Sequence, residues 1–295
     1  MTNPRIAVIG IPGKWSTEVL AERIAAKTGA CPVIDMAEVT FQSSAGALTA
    51  HGLNLNEFDG LVVKKISQQY SPSTLDRLEL LRVAEAQGVR VFSPASSMLR
   101  LIDRLSCTVT LQNHSIPMPD TCVTESISDA IAFIQGAGEA VLKPLFSTKA
   151  RGMTVLDASE SDDQLSVALT SFQQDNPVLY LQRKIALSGR DMGLMFLGGE
   201  YLGAYARVAQ TGAWNTTIHS GGKYEAVDPD ASVIAMASRA QELFQMDFTT
   251  VDVAETDDGP ICFEVSAFGG FRGGLEGTGI DVAEHYAQYV LESLS

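Results

Sequence analysis

The sequence predicts a mixed α/β protein built from three pieces, and three observations carry that prediction. Short apolar strands alternate with amphipathic helical patterns through the first two pieces. A run of two prolines separates them. After about residue 184 the pattern changes to long strands joined by tight glycine turns.

In the first piece, strands are expected at Arg5 to Gly10, Cys31 to Asp35, Gly60 to Ile66 and Val89 to Ser93, with helices at Ser16 to Thr28 and Ser73 to Gln87. That is an open α/β layer, closed by Pro94. One helix is expected from Ser97 to Asn113. The segment Ile116-Pro117-Met118-Pro119-Asp120-Thr121 follows, where proline excludes helix and forces an extended connector. The second piece has strands at Thr121 to Thr124, Ala140 to Pro144, Met153 to Asp157 and Val178 to Arg183, and helices at Ser126 to Gln135 and Ser161 to Phe172. The third is antiparallel: a hairpin about Gly198-Gly199, a loop from Trp214 to Gly222, a helix from Pro229 to Gln245, a hairpin about Asp257-Asp258-Gly259, and a last helix from Ile280. The expected division is an N-terminal α/β domain over 1–93 and a second domain over 94–295, the latter split into a lid (about 118–183) and a C-terminal subdomain (about 184–295).

Composition narrows the function classes. With 295 residues, 45% of them hydrophobic, the chain can bury a sizeable core. A net charge of −14 repels a phosphate backbone, so nucleic acid is not an expected partner. The apolar stretches are too short and too interrupted to span a bilayer, and the start lacks a signal-peptide pattern, so the expectation is a cytoplasmic protein. Cys31, Cys107, Cys122 and Cys262 have no CxxC spacing and read as small apolar residues rather than metal or disulfide positions. Gly13-Lys14 lacks the glycine and hydroxyl positions of a P-loop, no GxGxxG follows the first strand, and no GxSxG elbow is present.

Three constellations could carry chemistry. In Val251-Asp252-Val253 through Glu264-Val265-Ser266, a three-residue loop of Asp257, Asp258 and Gly259 would pair Thr256 with Pro260. Asp252 then falls opposite Glu264, with Val251, Val253, Phe263 and Val265 on the buried face. Two facing carboxylates destabilise a sheet unless a cation lies between them, and magnesium would serve. The alternative is a one-residue slip that turns one acid to solvent. In Ala140-Val141-Leu142-Lys143-Pro144 a buried strand ends in a lysine and enters the loop Ser147-Thr148-Lys149-Ala150-Arg151-Gly152, which suits nucleotide phosphates; a solvated strand-end lysine is the plainer alternative. Leu179-Tyr180-Leu181-Gln182-Arg183-Lys184 could border an adenine, or show ordinary chain-end polarity.

The ordered set of motifs resembles the ATP-grasp superfamily, most of all its RimK-type amino-acid (glutamate) ligase branch. It is carried by Asp103-Arg104; Ile116 to Thr121; Leu142-Lys143-Pro144-Leu145-Phe146; Gln182; Gly189-Arg190-Asp191; Gly198-Gly199; Arg207; Ile218 to Gly222; Val251-Asp252; Glu264-Val265-Ser266; and Gly279 to Ala283. The resemblance implies an ATP-dependent carboxylate–amine ligase that works through an acyl phosphate. It implies ATP and magnesium (or manganese) as cofactors, an acid and an amino acid as partners, and a homodimer or homotetramer. Arg104, Lys143, Lys149, Gln182, Arg183, Lys184 and Asp191 would then hold the nucleotide, and Asp252, Glu264 and Ser266 the metal. Arg207 and Arg272 would act in catalysis, and Asn215, His219 and Gly270 on the substrate. Ser266 stands where the family has asparagine, Gly193 where an arginine is common, and the phosphate loop lacks paired glycines. Competing readings are an ATP-dependent kinase and a nucleotide-binding regulator with little turnover. Within the ligase class, the preferred acid is a pterin or furan C1-carrier.

Overall fold

The computed structural model describes residues 3–148, 150–187, 189–209, 216 and 221–295. The first piece forms a parallel sheet from β1 (Ile6–Ile9), β2 (Val33–Ile34), β6 (Gly60–Val63) and β7 (Arg90–Phe92), ordered β2-β1-β6-β7, with α1 (Trp15–Thr28) and α2 (Pro72–Ala86) as its crossover helices. All four positions of β1 and of β6 are buried, the pattern of strands covered on both faces. Between β2 and β6 lies a small antiparallel meander that the sequence reading did not anticipate: β3 (Thr40–Gln42), β4 (Ala47–Ala50) and β5 (Leu53–Asn54). Its strands are two to four residues long and β3 is exposed throughout, so it has little apolar periodicity to detect.

The single helix expected from Ser97 to Asn113 is two helices, α3 (Ala95–Ile102) and α4 (Arg104–Asn113). Asp103 breaks them. Its backbone is extended (φ −80°, ψ 109°) and its carboxylate accepts the N–H of Leu105, capping α4. The second piece contains β8 (Thr121–Thr124), α5 (Ile127–Ala137), β9 (Glu139–Lys143), β10 (Thr154–Asp157), α6 (Asp162–Gln173) and β11 (Leu179–Arg183), with an antiparallel sheet ordered β10-β9-β11-β8. The third contains β12 (Arg190–Leu197), β13 (Glu200–Val208), β14 (Lys223–Ala226), α7 (Ala231–Glu242), β15 (Phe248–Thr256), β16 (Gly259–Val265) and α8 (Val282–Ser293), its sheet ordered β14-β13-β12-β15-β16.

The second piece has an apolar core of its own, around Ile134, Leu142, Leu165 and Leu181. The first and third share theirs. One face of the parallel sheet packs with α2, α3 and residues of β12 and β15, and the other with α1, α8 and Phe248. Arg23 to Asp281 (2.9 Å) and Lys27 to Glu284 (2.6 Å) tie α1 to the start of α8. Cys107 and Cys262 are buried and Cys31 and Cys122 half-buried, all as free thiols. Among the described residues no helix is long and apolar enough to cross a membrane.

Candidate functional site

A cavity of about 410 Å³ opens where the three pieces meet, and most of the described candidate residues wall it. Two hairpins place its charged groups by the same device. The hairpin of β12 and β13 starts from a two-residue turn, with Leu197 opposite Glu200. A bulge then adds Leu202, so that Asp191 falls opposite Arg207. The hairpin of β15 and β16 also starts from a two-residue turn, with Thr256 opposite Gly259 rather than Pro260 as expected. A bulge adds Phe263 and brings Asp252 opposite Glu264. The expected pairing is therefore present, reached through a tighter turn plus one extra residue. The bulge also alters the faces: Cys262 takes the buried place next to Val265, and Phe263 turns to the cavity wall instead of the core.

Across the sheet, Tyr205, Gly193, Asp252 and Glu264 form one row. A side chain at position 193 would meet the Tyr205 ring, since a Cβ there would lie 2.5 Å from Tyr205 Cζ. Tyr205 thus occupies the space above Gly193. Two residues along the same face, Arg207 stands opposite Asp191 and binds both it (2.5 Å) and Asp252 (3.0 Å). Burial pushes the Asp252 carboxyl up to about 7, against the pull of Arg207, and the neighbouring Glu264 and Asp191 raise it further. Burial works against the Arg207 charge too, but its two carboxylates outweigh it and hold the guanidinium charged.

Arg104, at the first turn of α4, donates to the Pro144 carbonyl (3.2 Å), Glu264 (3.2 Å) and the Ser147 hydroxyl (3.3 Å), joining the phosphate-loop segment to β16. Lys143 donates to Gln182 at 2.5 Å, and its ammonium lies 5.9 Å from the Phe263 ring centre. Burial, and then the Arg104 charge, lower the Lys143 pKa to about 7. Gln182 is buried and donates to the Thr121 hydroxyl. Arg183 and Lys184 follow it along the wall, paired with Asp120 (3.1 Å) and Glu139 (2.7 Å). Asp191 lines the cavity, but Arg207 engages both its oxygens.

Ser266 and Gly270 line the same cavity. Arg272 does not. It is largely exposed, stacked 5.0 Å from the Trp15 ring and paired with Glu276 at 3.1 Å. Lys149, Asn215 and His219 lie outside the described residues; of their neighbours, Thr216 is described and lines the cavity. Sequence reasoning missed Tyr205, Lys65 and Tyr70 on the wall. The first stands two residues before Arg207 and so shares its face of β13; the other two belong to a loop of the first piece, where only long-range contact reveals a role.

The donors suit magnesium. Asp252 and Glu264 face each other, Ser266 lines the same cavity two residues beyond Glu264, and a desolvated carboxylate with a raised pKa gains from a divalent cation. Among the described residues there is no cluster of three or more His, Cys, Asp or Glu side chains that could hold a metal, so the set would be two carboxylates and a hydroxyl. The cavity also offers what a nucleoside triphosphate needs: cations at Lys143 and Arg104, and apolar walls at Val141, Leu145 and Phe263.

Comparison with known proteins agrees. The model of the RimK-like ATP-grasp domain matches residues 102–290. Over 95% of the chain and 96% of the relative, the sequence is 24% identical to a tetrahydromethanopterin:alpha-L-glutamate ligase of Methanosarcina acetivorans. It is 25% identical to a probable alpha-L-glutamate ligase of Thioalkalivibrio sulfidiphilus, over 97% and 95%. In fold it is similar to the ATP-grasp ligase PsnB solved with its minimal precursor (TM-score 0.77, 16% identity, 99% and 100% covered). It is also similar to a RimK domain protein from Sphaerobacter thermophilus (TM-score 0.75, 22% identity, 97% and 98% covered). PsnB has also been solved with magnesium and ADP. The matched family model spans both hairpins and the lysine strand, and the chain belongs to the RimK-like ATP-grasp family: it is an ATP-dependent ligase that joins a carboxylate to an amine.

Proposed function

We propose that this ligase adds L-glutamate or a similar amino acid to the carboxylate of a small molecule, a pterin-type or furan C1-carrier being the preferred class. The relatives of matching length support this, since they are named as glutamate ligases, one of them for tetrahydromethanopterin. The observation that carries the chemistry is the Asp252–Glu264 pair gathered with Lys143, Arg104 and Arg207 on the walls of one cavity. Asp252, Glu264 and Ser266 would hold magnesium or manganese, which would supply positive charge to offset that of the nucleotide phosphates.

In this reading an oxygen of the acid attacks the terminal phosphorus of ATP, and the bond to ADP breaks. The nitrogen of the neutral amine then attacks the acyl carbon, phosphate departs, and the amine releases a proton. Lys143 and Arg104 hold the phosphates against Gln182 and the Ser147 loop, with Lys149 as a third cation. Arg207, kept charged by Asp191 and Asp252, faces the transferred group. Gln182, Arg183 and Lys184 border the base and Asp191 the ribose edge. Asn215, His219 and Gly270 meet the substrates, and Arg272, outside the cavity wall and stacked on Trp15, is assigned to the amino acid from the family resemblance. The second piece, with its separate core, closes as a lid that excludes water from the acyl phosphate. A domain boundary near 93 and a cytoplasmic location belong to the same proposal, as does a homodimer or homotetramer, which rests on the family resemblance.

The test is ligand-dependent thermal stability followed by turnover. Magnesium with a non-hydrolysable ATP analogue, at about a hundred times its dissociation constant, should stabilise the protein by roughly 2.7 kcal/mol. Asp252→Asn with Glu264→Gln should remove the magnesium dependence. ADP release should require both an acid and L-glutamate; release with an acid alone at the full rate would replace the ligase with a kinase.

A further inference from the structure

Tyr205 shares the row of Asp252 and Glu264 and lines the same cavity, yet it is neither a carboxylate nor a cation. It stands on β13, and its ring reaches across the neighbouring strand. A Cβ added at Gly193, inside β12, would lie 2.5 Å from the ring Cζ and 2.6 Å from the hydroxyl oxygen. Beyond Gly193 the next residue of the row is Asp252, whose β-carbon comes about 5 Å from that point. The hydroxyl is thus carried from β13 toward the carboxylate pair, over a residue that has no side chain to stop it.

Three glycines close on this side chain. Gly193 meets the Cε2 edge of the ring, and a Cβ at Gly273 would meet Cε1 on the other edge at 2.4 Å. At Gly277 a Cβ would come within 2.9 Å of the Tyr205 Cβ. Gly277 lies in the π-helical turn Gly274–Thr278 and Gly273 stands just before it. Tyr224 packs edge-on against the same ring, with centres 5.3 Å apart and planes at 89°. Glycine inside a strand weakens it and marks the close approach of another group, and π-helical turns gather at functional sites. The result is a phenol whose oxygen is fixed in place, as a donor that acts on developing charge must be before the reaction begins.

We propose that Tyr205 is a catalytic residue whose hydroxyl donates a hydrogen bond to an oxygen of the phosphoryl group in transfer, beside the Asp252–Glu264 pair. This rests on the reading of the cavity as the nucleotide and metal site. A phosphoryl group in transfer spreads negative charge over its equatorial oxygens, and each fixed donor there lowers the barrier. A cation placed beside Asp252 pairs with it, as Arg207 does at 3.0 Å. A phenol, neutral below its ordinary pKa of about 10, adds a donor without neutralising the carboxylates that a metal needs.

The test sets a ground-state nucleotide against a mimic of the group in flight. Calorimetry on the full chain measures magnesium with AMPPNP, and magnesium with ADP and aluminium fluoride, for the parent and for Tyr205→Phe, which removes the hydroxyl and keeps the ring. The parent should bind ADP more tightly when aluminium fluoride is present. Tyr205→Phe should weaken the aluminium fluoride complex by more than threefold, about tenfold being the scale for losing a hydrogen bond to a charged group. It should change AMPPNP affinity by less than threefold and leave the urea midpoint in place. The inference is overturned if the variant holds the aluminium fluoride complex within threefold of the parent, or if the parent gains nothing from aluminium fluoride. Equal weakening of both complexes overturns it too, and would make Tyr205 a packing residue of the nucleotide site. A parent that binds no AMPPNP sinks the nucleotide reading of the cavity itself, and this inference with it.

Discussion

Lys143 meets two opposed demands. Its place at the end of a buried strand lowers its pKa to about 7, so in the free protein near neutrality it is only partly charged. Nucleotide phosphates would favour the charged form and raise that pKa. Nucleotide binding should therefore take up protons from about pH 7 upward and few below it, because there the ammonium is already formed. Calorimetry at about pH 8 in two buffers of different ionisation enthalpy should show this uptake. Lys143→Met should abolish it and weaken nucleotide about tenfold to a hundredfold, the range for losing a hydrogen bond to a charged group. Equal proton uptake in parent and variant would assign the linkage to another group. Lys143, Asp252, Glu264 and Arg207 were legible in the sequence because each stands at a strand position in a recurring order. Tyr205 was not: its role comes from the empty face of Gly193 on the neighbouring strand, and one sequence carries no mark of that cross-strand space.

At the scale of elements, turn chemistry alone was a poor guide to register. Both hairpins start one residue short of the pairing that the site needs, and each recovers it through a bulge, at Leu202 and at Phe263. A bulge depends on local packing and leaves no turn-like signature, so the facing of Asp252 and Glu264 was foreseen by a route that the chain does not take. The break at Asp103 was equally hidden, since an apolar helical pattern runs through it. Its consequence reaches the site, because the new helix begins at Arg104 and points that guanidinium at Glu264 and Ser147. Asp103→Ala should cost about 1 kcal/mol of stability through the lost cap. It should also weaken nucleotide by more than a mutation of another exposed cap, for example Ser126→Ala on α5. Denaturant midpoints and nucleotide affinities of the two variants separate these effects; equal affinities would mean that the cap does not aim Arg104.

At the scale of the whole molecule, local periodicity had nothing to say about how the first sheet meets the loop after Ser266. That contact runs through Lys64, a lysine at 5% exposure whose ammonium lies 2.6 Å from the Gly269 carbonyl and 4.3 Å from the Phe271 ring centre. Burial, helped by neighbouring Lys65, lowers its pKa to about 7 from an ordinary 10.5. Below pH 7 the side chain is charged both folded and unfolded, and the full cost of burying that charge is present. Between about 7 and 10.5 the unfolded chain holds the proton and the folded one does not, so stability rises with pH by up to about 1.4 kcal/mol per unit; above that window both states are neutral. Lys64→Met removes this dependence along with the donor to Gly269. The variant should therefore gain on the parent most at about pH 6.5, and that advantage should shrink or reverse at about pH 9. Urea midpoints of the two proteins at both pH values provide the measurement. A difference that stays constant would show that Lys64 keeps its proton in the fold, held by the Gly269 carbonyl and the Phe271 face strongly enough to offset its burial.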